Sequence, residues 1–148
     1  MITQDQVYAA LEEVKDPEIP VISVVDLGVI RDVLIDANGA VVVQLTPTFA
    51  GCPAINHMKE NILQVEGRVD VMYNEPWSTN LISPRGRVLL KDFGLSPPPA
   101  FDGMLTLEVL QNAVCPKCAS NNTFMISPFG PTACRAVHHC RNCQETFE

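Results

Sequence analysis

Six cysteines occur in the 148-residue chain, and five of them follow residue 114. Four make two pairs, Cys115-Pro116-Lys117-Cys118 and Cys140-Arg141-Asn142-Cys143, separated by 21 residues. Each C-x2-C pair can present two sulfurs from one tight knuckle, and two knuckles complete a tetrahedral S4 site. The tail around them is short and poor in apolar residues, so a bound metal is predicted to hold it folded. Structural zinc is the leading occupant on this spacing, although the same four thiolates can ligate an iron–sulfur cluster. Cys134 is a fifth thiol, in Ser127-Pro128-Phe129-Gly130-Pro131-Thr132-Ala133-Cys134. A closed zinc site has no room for it, so it is either packed or separately functional. His138 and His139 read as solvent-facing strand residues, because four cysteines already complete the ligand set.

The sixth cysteine, Cys52, is placed by its neighbours. Residues 40–45 form an apolar, β-branched run entered from an Asn38-Gly39 turn, which predicts a strand. Pro47 stops pairing, Gly51 permits a sharp turn, and Pro53 occupies the first helical position that proline favours. Cys52 then stands at or beside the N-cap of a helix through residues 54–64. Free amides and the positive dipole end there stabilise a thiolate. Metal binding and nucleophilic chemistry are both open to such a thiol; a small buried thiol packed under the turn satisfies the same pattern. A nucleophile needs a base. The nearest histidine, His57, lies five residues along the helix and about 140° round its axis, off the face of Cys52.

These residues need a framework, and the pattern supplies one. Thr3 or Asp5 caps a first helix predicted to run to Lys15-Asp16, stopped by Pro17. Asp16-Pro17-Glu18-Ile19-Pro20 is a stiff acidic loop. Strands are predicted over 31–35, 41–45 and 68–73, with a hairpin turn at Asp36-Ala37-Asn38-Gly39. A third helix opens at Ser83-Pro84 and closes at Gly94. Trp77 and Phe93 read as core, and residues 104–110 alternate weakly as a further strand. The order implies an α/β fold, a small three-stranded sheet with helices packed on it, plus a C-terminal zinc-ribbon-like β module. The proline run Ser96-Pro97-Pro98-Pro99 sets the expected boundaries: domain 1–99, linker 100–112, ribbon 113–148.

A net charge of −7 and a pI of about 4.8 argue against nucleic-acid binding. No apolar run approaches the ~20 residues of a membrane span, and residues 1–6 lack the pattern of a signal peptide. Without export, disulfides are not expected, and the thiols read as ligands or reactive groups.

Asp16-Pro17-Glu18, Asp26-Leu27-Gly28, Leu45-Thr46 and Cys52-Pro53 together resemble the metal–sulfur cluster assembly family of small α/β domains. One branch is similar over nearly the whole chain: the D subunits of the bacterial phenylacetyl-coenzyme A epoxidase system, which serves phenylacetate ring oxygenation. That likeness lies in Trp77-Ser78, in Ser83-Pro84-Arg85-Gly86-Arg87, in the stretch from Phe93-Gly94 to Pro98, in Cys115–Cys118 and in Ser127–Cys134. The resemblance implies a cytoplasmic accessory protein that helps to mature or repair the metal centres of a multicomponent oxygenase without turning over substrate. The oxygenase and reductase components are its implied partners. By position it implies that Cys52 is the reactive or cluster-ligating thiol, that Asp16 and Glu18 form an acidic loop facing it, and that Thr46 and Thr48 line the turn. Ala119 and Gln144 depart from the usual glycine after each knuckle, which is expected to loosen the knuckles.

Only one cysteine lies in the first domain, whereas a [2Fe–2S] cluster needs four ligands. A cluster held there must borrow from a second protomer, a client, a small thiol, or Asp16 and Glu18. The resulting expectation is a transient Fe or Fe–S site at Cys52, in a homodimer, with the ribbon docking the client. A non-catalytic interaction subunit of the oxygenase and a thiol enzyme using Cys52 are the alternatives.

Overall fold

The computed structural model describes residues 1–48, 54–65, 67–97, 100, 108, 111–130 and 135–148. The chain divides into two compact units, Met1–Gly86 and Arg87–Glu148. The first contains α1 (Gln4–Leu11), β1 (Ile30–Ile35), β2 (Val41–Leu45), α2 (Ile55–Val65) and β3 (Arg68–Val71). Helix α3 (Pro84–Phe93) starts in the first unit and ends in the second, which holds β4 (Thr123–Ser127), β5 (Val137–Cys140) and β6 (Thr146–Phe147). The fold is mixed α/β with two three-stranded sheets. Among the described residues, no helix is long and apolar enough to cross a membrane.

Thr3 caps α1 in a capping box: its hydroxyl accepts from the Gln6 amide, and the Gln6 side chain accepts from the Thr3 amide. The helix stops at Leu11, four residues before the expected Lys15. A long-range pairing wins over local helix propensity here. Lys15 bridges Ser23, the Val24 amide donates to the Val14 carbonyl at 2.9 Å, and Val14, Ile22 and Val24 are all buried by it.

Strands β1 and β2 are antiparallel across the Asp36–Gly39 turn, where the Asp36 carboxylate accepts from the amides of Asn38 and Ala40. Strand β3 joins β2 in parallel, so α2 serves as the crossover. Helix α1 lies against β1 and α2 against β3, and the two helices touch, so both cover one face of the sheet. Val7 and Leu11, Val33, Val43 and Leu45, Met58 and Ile62, and Val69 form the core between them. Each such burial contributes about 1.5–3 kcal/mol before chain entropy is subtracted. Strand β3 ends at Val71 and not at Tyr73. The Met72 amide makes one more bond to the Leu45 carbonyl, at 2.7 Å, and Tyr73 is exposed.

Parallel β2 and β3 therefore finish at the same edge, and β2 runs directly into Thr46-Pro47-Thr48, the approach to α2. Ligand sites of open α/β sheets sit at such carboxyl ends. Trp77 is half-buried, its indole N–H donating to the Leu27 carbonyl at 3.0 Å. Phe93 is exposed, contrary to its reading as core. It falls in the last turn of α3, where Gly94 at φ +100° ends the helix.

In the second unit β4, β5 and β6 are antiparallel in that order. Its buried cluster consists of Ala113, Cys115, Cys140 and Phe147, with Cys118 and Cys143 packed against it. His138, expected to face solvent, is buried and stacked on Phe147 at 5.4 Å. The reason is strand alternation: His138 lies two residues before Cys140, and a strand that buries Cys140 carries His138 on the same face. The strand expected within 104–110 falls outside the described residues, Glu108 excepted, and so does most of the expected linker.

Candidate functional site

The sulfurs of Cys115, Cys118, Cys140 and Cys143 all lie within 4.8 Å of one another. Cys115 approaches Cys143 and Cys118 approaches Cys140, each at 3.6 Å. A tetrahedral Zn–S4 centre with bonds of about 2.3 Å has sulfur–sulfur edges of about 3.8 Å. The donor set and its spacing fit a four-coordinate thiolate site, and these four residues would hold the ion.

The two knuckles repeat one another bond for bond. The Cys115 amide donates to the Ser120 carbonyl and the Ala119 amide to the Cys115 carbonyl. Likewise, the Cys140 amide donates to the Glu145 carbonyl and the Gln144 amide to the Cys140 carbonyl. Closing both turns puts Ala119 at φ +59° and Gln144 at φ +64°, the left-handed region. The missing glycines therefore leave the knuckles unloosened, and their effect appears as backbone strain of about 1–2 kcal/mol per residue. Ala119→Gly should accordingly tighten metal binding by about 1 kcal/mol, roughly fivefold. Chelator competition on the full chain checks this, and weaker binding by the variant would contradict it. Gln144 is the poorer test, since its side-chain Nε2 also donates to the Arg141 carbonyl.

The two outer thiols, Cys118 and Cys143, are shifted in opposite directions. The Asn142 amide, the Ser120 backbone and the neighbouring sulfurs bring Cys118 down to about 6. For Cys143 a backbone hydrogen bond at Glu145 acts downward, but burial and the three other thiols prevail and push it up to about 12.

In the first unit, Asp16 is buried and one carboxylate oxygen accepts from the amides of Glu18 and Ile19, at 2.7 and 2.8 Å. That carboxylate oxygen braces its own loop, while Glu18 is exposed. Thr46 is buried at the end of β2, and Thr48 is half-buried beyond it. Cys52 and Cys134 lie outside the described residues. His57 is exposed, 3.8 Å from Glu60.

Two further arrangements join residues far apart in the sequence. Arg31 donates from Nε to the Thr46 hydroxyl (3.2 Å) and from a terminal nitrogen to the carbonyls of Glu75 and Pro76. It thereby ties the loop after β3 to the end of β2. The second centres on Asp26, which accepts from the Ser83 hydroxyl at 2.6 Å and from Arg85 Nε at 2.9 Å. Arg85 also pairs with Glu12, and Glu12 accepts from Ser23. The Ser83 hydroxyl accepts from the Gly86 amide in turn, capping α3. Burial raises the Asp26 carboxyl, but hydrogen bonds and charge from Arg85, Ser83 and Ser23 reverse this and hold it below the ordinary carboxylate value.

A depressed carboxylate stabilises the fold above its unfolded pKa, near 4, and loses that contribution as pH falls through its lower folded value. Asp26→Asn should cost about 1.5–3 kcal/mol at pH 7, and the gap to the parent should close below pH 4. Arg85 is well exposed, which keeps the figure low in that range. Trp77 is the only tryptophan, so its fluorescence during urea unfolding reports the first unit. A gap independent of pH would contradict the assignment.

This pairing of an α/β domain with a four-cysteine β-ribbon defines the class. Residues 4–71 match the family of iron–sulfur cluster assembly proteins, and residues 103–148 match the PaaD zinc beta ribbon domain. The chain is 36% identical over 150 residues to an Escherichia coli (strain K12) protein provisionally named as a 1,2-phenylacetyl-CoA epoxidase component, covering 97% of this chain and 89% of that protein. It belongs to that two-domain family. An Fe–S protein maturation auxiliary factor of Porphyromonas gingivalis is 34% identical over 89 residues, 55% of this chain and 84% of its own. A crystal structure of a domain of unknown function from Bacillus anthracis superimposes with a TM-score of 0.55 at 32% identity, covering 59% of this chain and 90% of that one.

Proposed function

We propose that the protein is an accessory factor that assists maturation or repair of the iron or iron–sulfur centres of a phenylacetyl-CoA epoxidase, and that the ribbon holds structural zinc. The observation that carries this reading is the union, on one chain, of an iron–sulfur assembly domain with the ribbon of the epoxidase-associated family. Cys52 is the thiol that takes up iron or a cluster as cargo. In sequence it follows Thr46-Pro47-Thr48, the segment that leaves the carboxyl end of β2. One thiol leaves the cluster short of ligands, so a second protomer or the client completes them, and the incomplete set favours release. The protein acts in the cytoplasm, as a homodimer, with the oxygenase and reductase components as clients.

Reconstitution with iron and sulfide, followed by transfer to an apo iron–sulfur protein, tests the role of Cys52. The parent should take up and pass on a cluster, and Cys52→Ala should do neither. Equal uptake and transfer by the variant would remove Cys52 from the mechanism. The naming of the E. coli relative as part of the epoxidase favours a second reading, a non-catalytic component of the oxygenase. Co-purification at constant stoichiometry supports that second reading, and substoichiometric contact supports maturation.

A further inference from the structure

The four ligands of the ribbon are not equally sheltered. Cys115 and Cys140, which open the knuckles, are fully buried, while Cys118 and Cys143, which close them, are half-exposed. Four thiolates around a divalent ion leave an excess of two negative charges, and the two outer sulfurs carry theirs toward water. Two residues occupy matching places, each two positions after the opening cysteine: Lys117 in the first knuckle and Asn142 in the second. Both cross to the opposite knuckle. The Asn142 amide donates to Cys118 Sγ at 3.5 Å, an ordinary length for a bond to sulfur. Lys117 pairs with Glu145, two residues beyond Cys143.

Resting on the four-sulfur reading of the ribbon, we infer that Asn142 is a positioning residue of the metal centre: its amide reaches from the second knuckle to hold the half-exposed Cys118 sulfur of the first, while Lys117 crosses back in the opposite sense. The two straps differ in kind. Asn142 touches a ligand atom and compensates its charge directly, and partners of this sort change metal affinity by about 10–100-fold. Lys117 and Glu145 are both well exposed, so their pair acts weakly and is screened by salt.

The test is Co(II) binding to the full chain in competition with a chelator, read together with the sulfur-to-cobalt charge-transfer bands. Asn142→Ala should bind about 10-fold or more weakly with shifted bands. Asn142→Asp, which sets a carboxylate against a thiolate, should bind more weakly still, and Asn142→Gln, which keeps an amide donor, should recover most of the loss. Lys117→Ala should lose only a few-fold, and less at high salt. Should a variant fail to refold when metal is added back, Co(II) release from protein loaded during refolding to excess chelator reads the same effect, and Asn142→Ala should release at least 10-fold faster. Unchanged affinity, bands and release rate in Asn142→Ala would overturn the inference. Failure of the parent to bind one Co(II) per chain would instead overturn the four-sulfur site itself.

Discussion

Removing the metal from the ribbon, or replacing Cys140 with serine, should unfold residues 113–148 and leave the first unit intact. Among the described residues, the hydrophobic cluster of the ribbon is four side chains, two of them ligands. Phe147 is the single large apolar member, and its burial contributes about 1.5–3 kcal/mol. Ordering more than thirty residues costs more chain entropy than so small a cluster offsets. Structural zinc supplies about 10–16 kcal/mol at neutral pH, and it joins two knuckles that the sequence separates by 21 residues. The first unit keeps its own core of Val7, Leu11, Val43, Leu45 and Ile62. Backbone NMR before and after chelation should show amides of 113–148 collapsing to unfolded shifts while Trp77 fluorescence stays constant. A ribbon that keeps its dispersed amides without metal would contradict this.

The second large effect is expected at Gly28. Its φ is +78°, and an added Cβ would stand 2.3 Å from the Leu81 carbonyl oxygen and 2.6 Å from the carbonyl carbon. Backbone cannot step aside as a flexible side chain can. Relief would displace the 79–81 turn, and with it the Trp77–Leu27 hydrogen bond and the Ser83–Asp26 contact on either side. Gly28→Ala should cost about 3–4 kcal/mol or prevent folding of the first unit. Gly39 is the matched control: its φ is +83° but nothing lies within 4 Å of the added carbon. Gly39→Ala should therefore cost only about 1–2 kcal/mol. Equal losses in urea unfolding, followed through Trp77, would show that conformation and not close approach governs Gly28.

How far these features were legible in the sequence depended on how local their causes are. The ribbon ligands were plain, because metal chemistry demands cysteines at knuckle spacing. The three strands of the first sheet followed from alternation and from the Asn38-Gly39 turn. The end of α1 is set by the pairing of Val14 with Val24, and no local rule announces such a bridge. His138 reads as solvent-facing by its polarity, yet it stands two residues before Cys140 and so on the buried face. Asp26-Leu27-Gly28 and Ser83-Pro84-Arg85-Gly86 stood out as motifs without a visible role. Their partnership spans 57 and 59 residues and emerges only when the chain is folded.

The central claim is that Cys52 carries iron or an iron–sulfur cluster while the ribbon carries zinc. Iron, acid-labile sulfide and zinc should be measured together in the full chain isolated without oxygen, with Cys52 intact and as Cys52→Ala. One zinc per chain is expected in both proteins, with iron and sulfide in the intact protein alone. Iron and sulfide retained by Cys52→Ala, or missing from both, would contradict it.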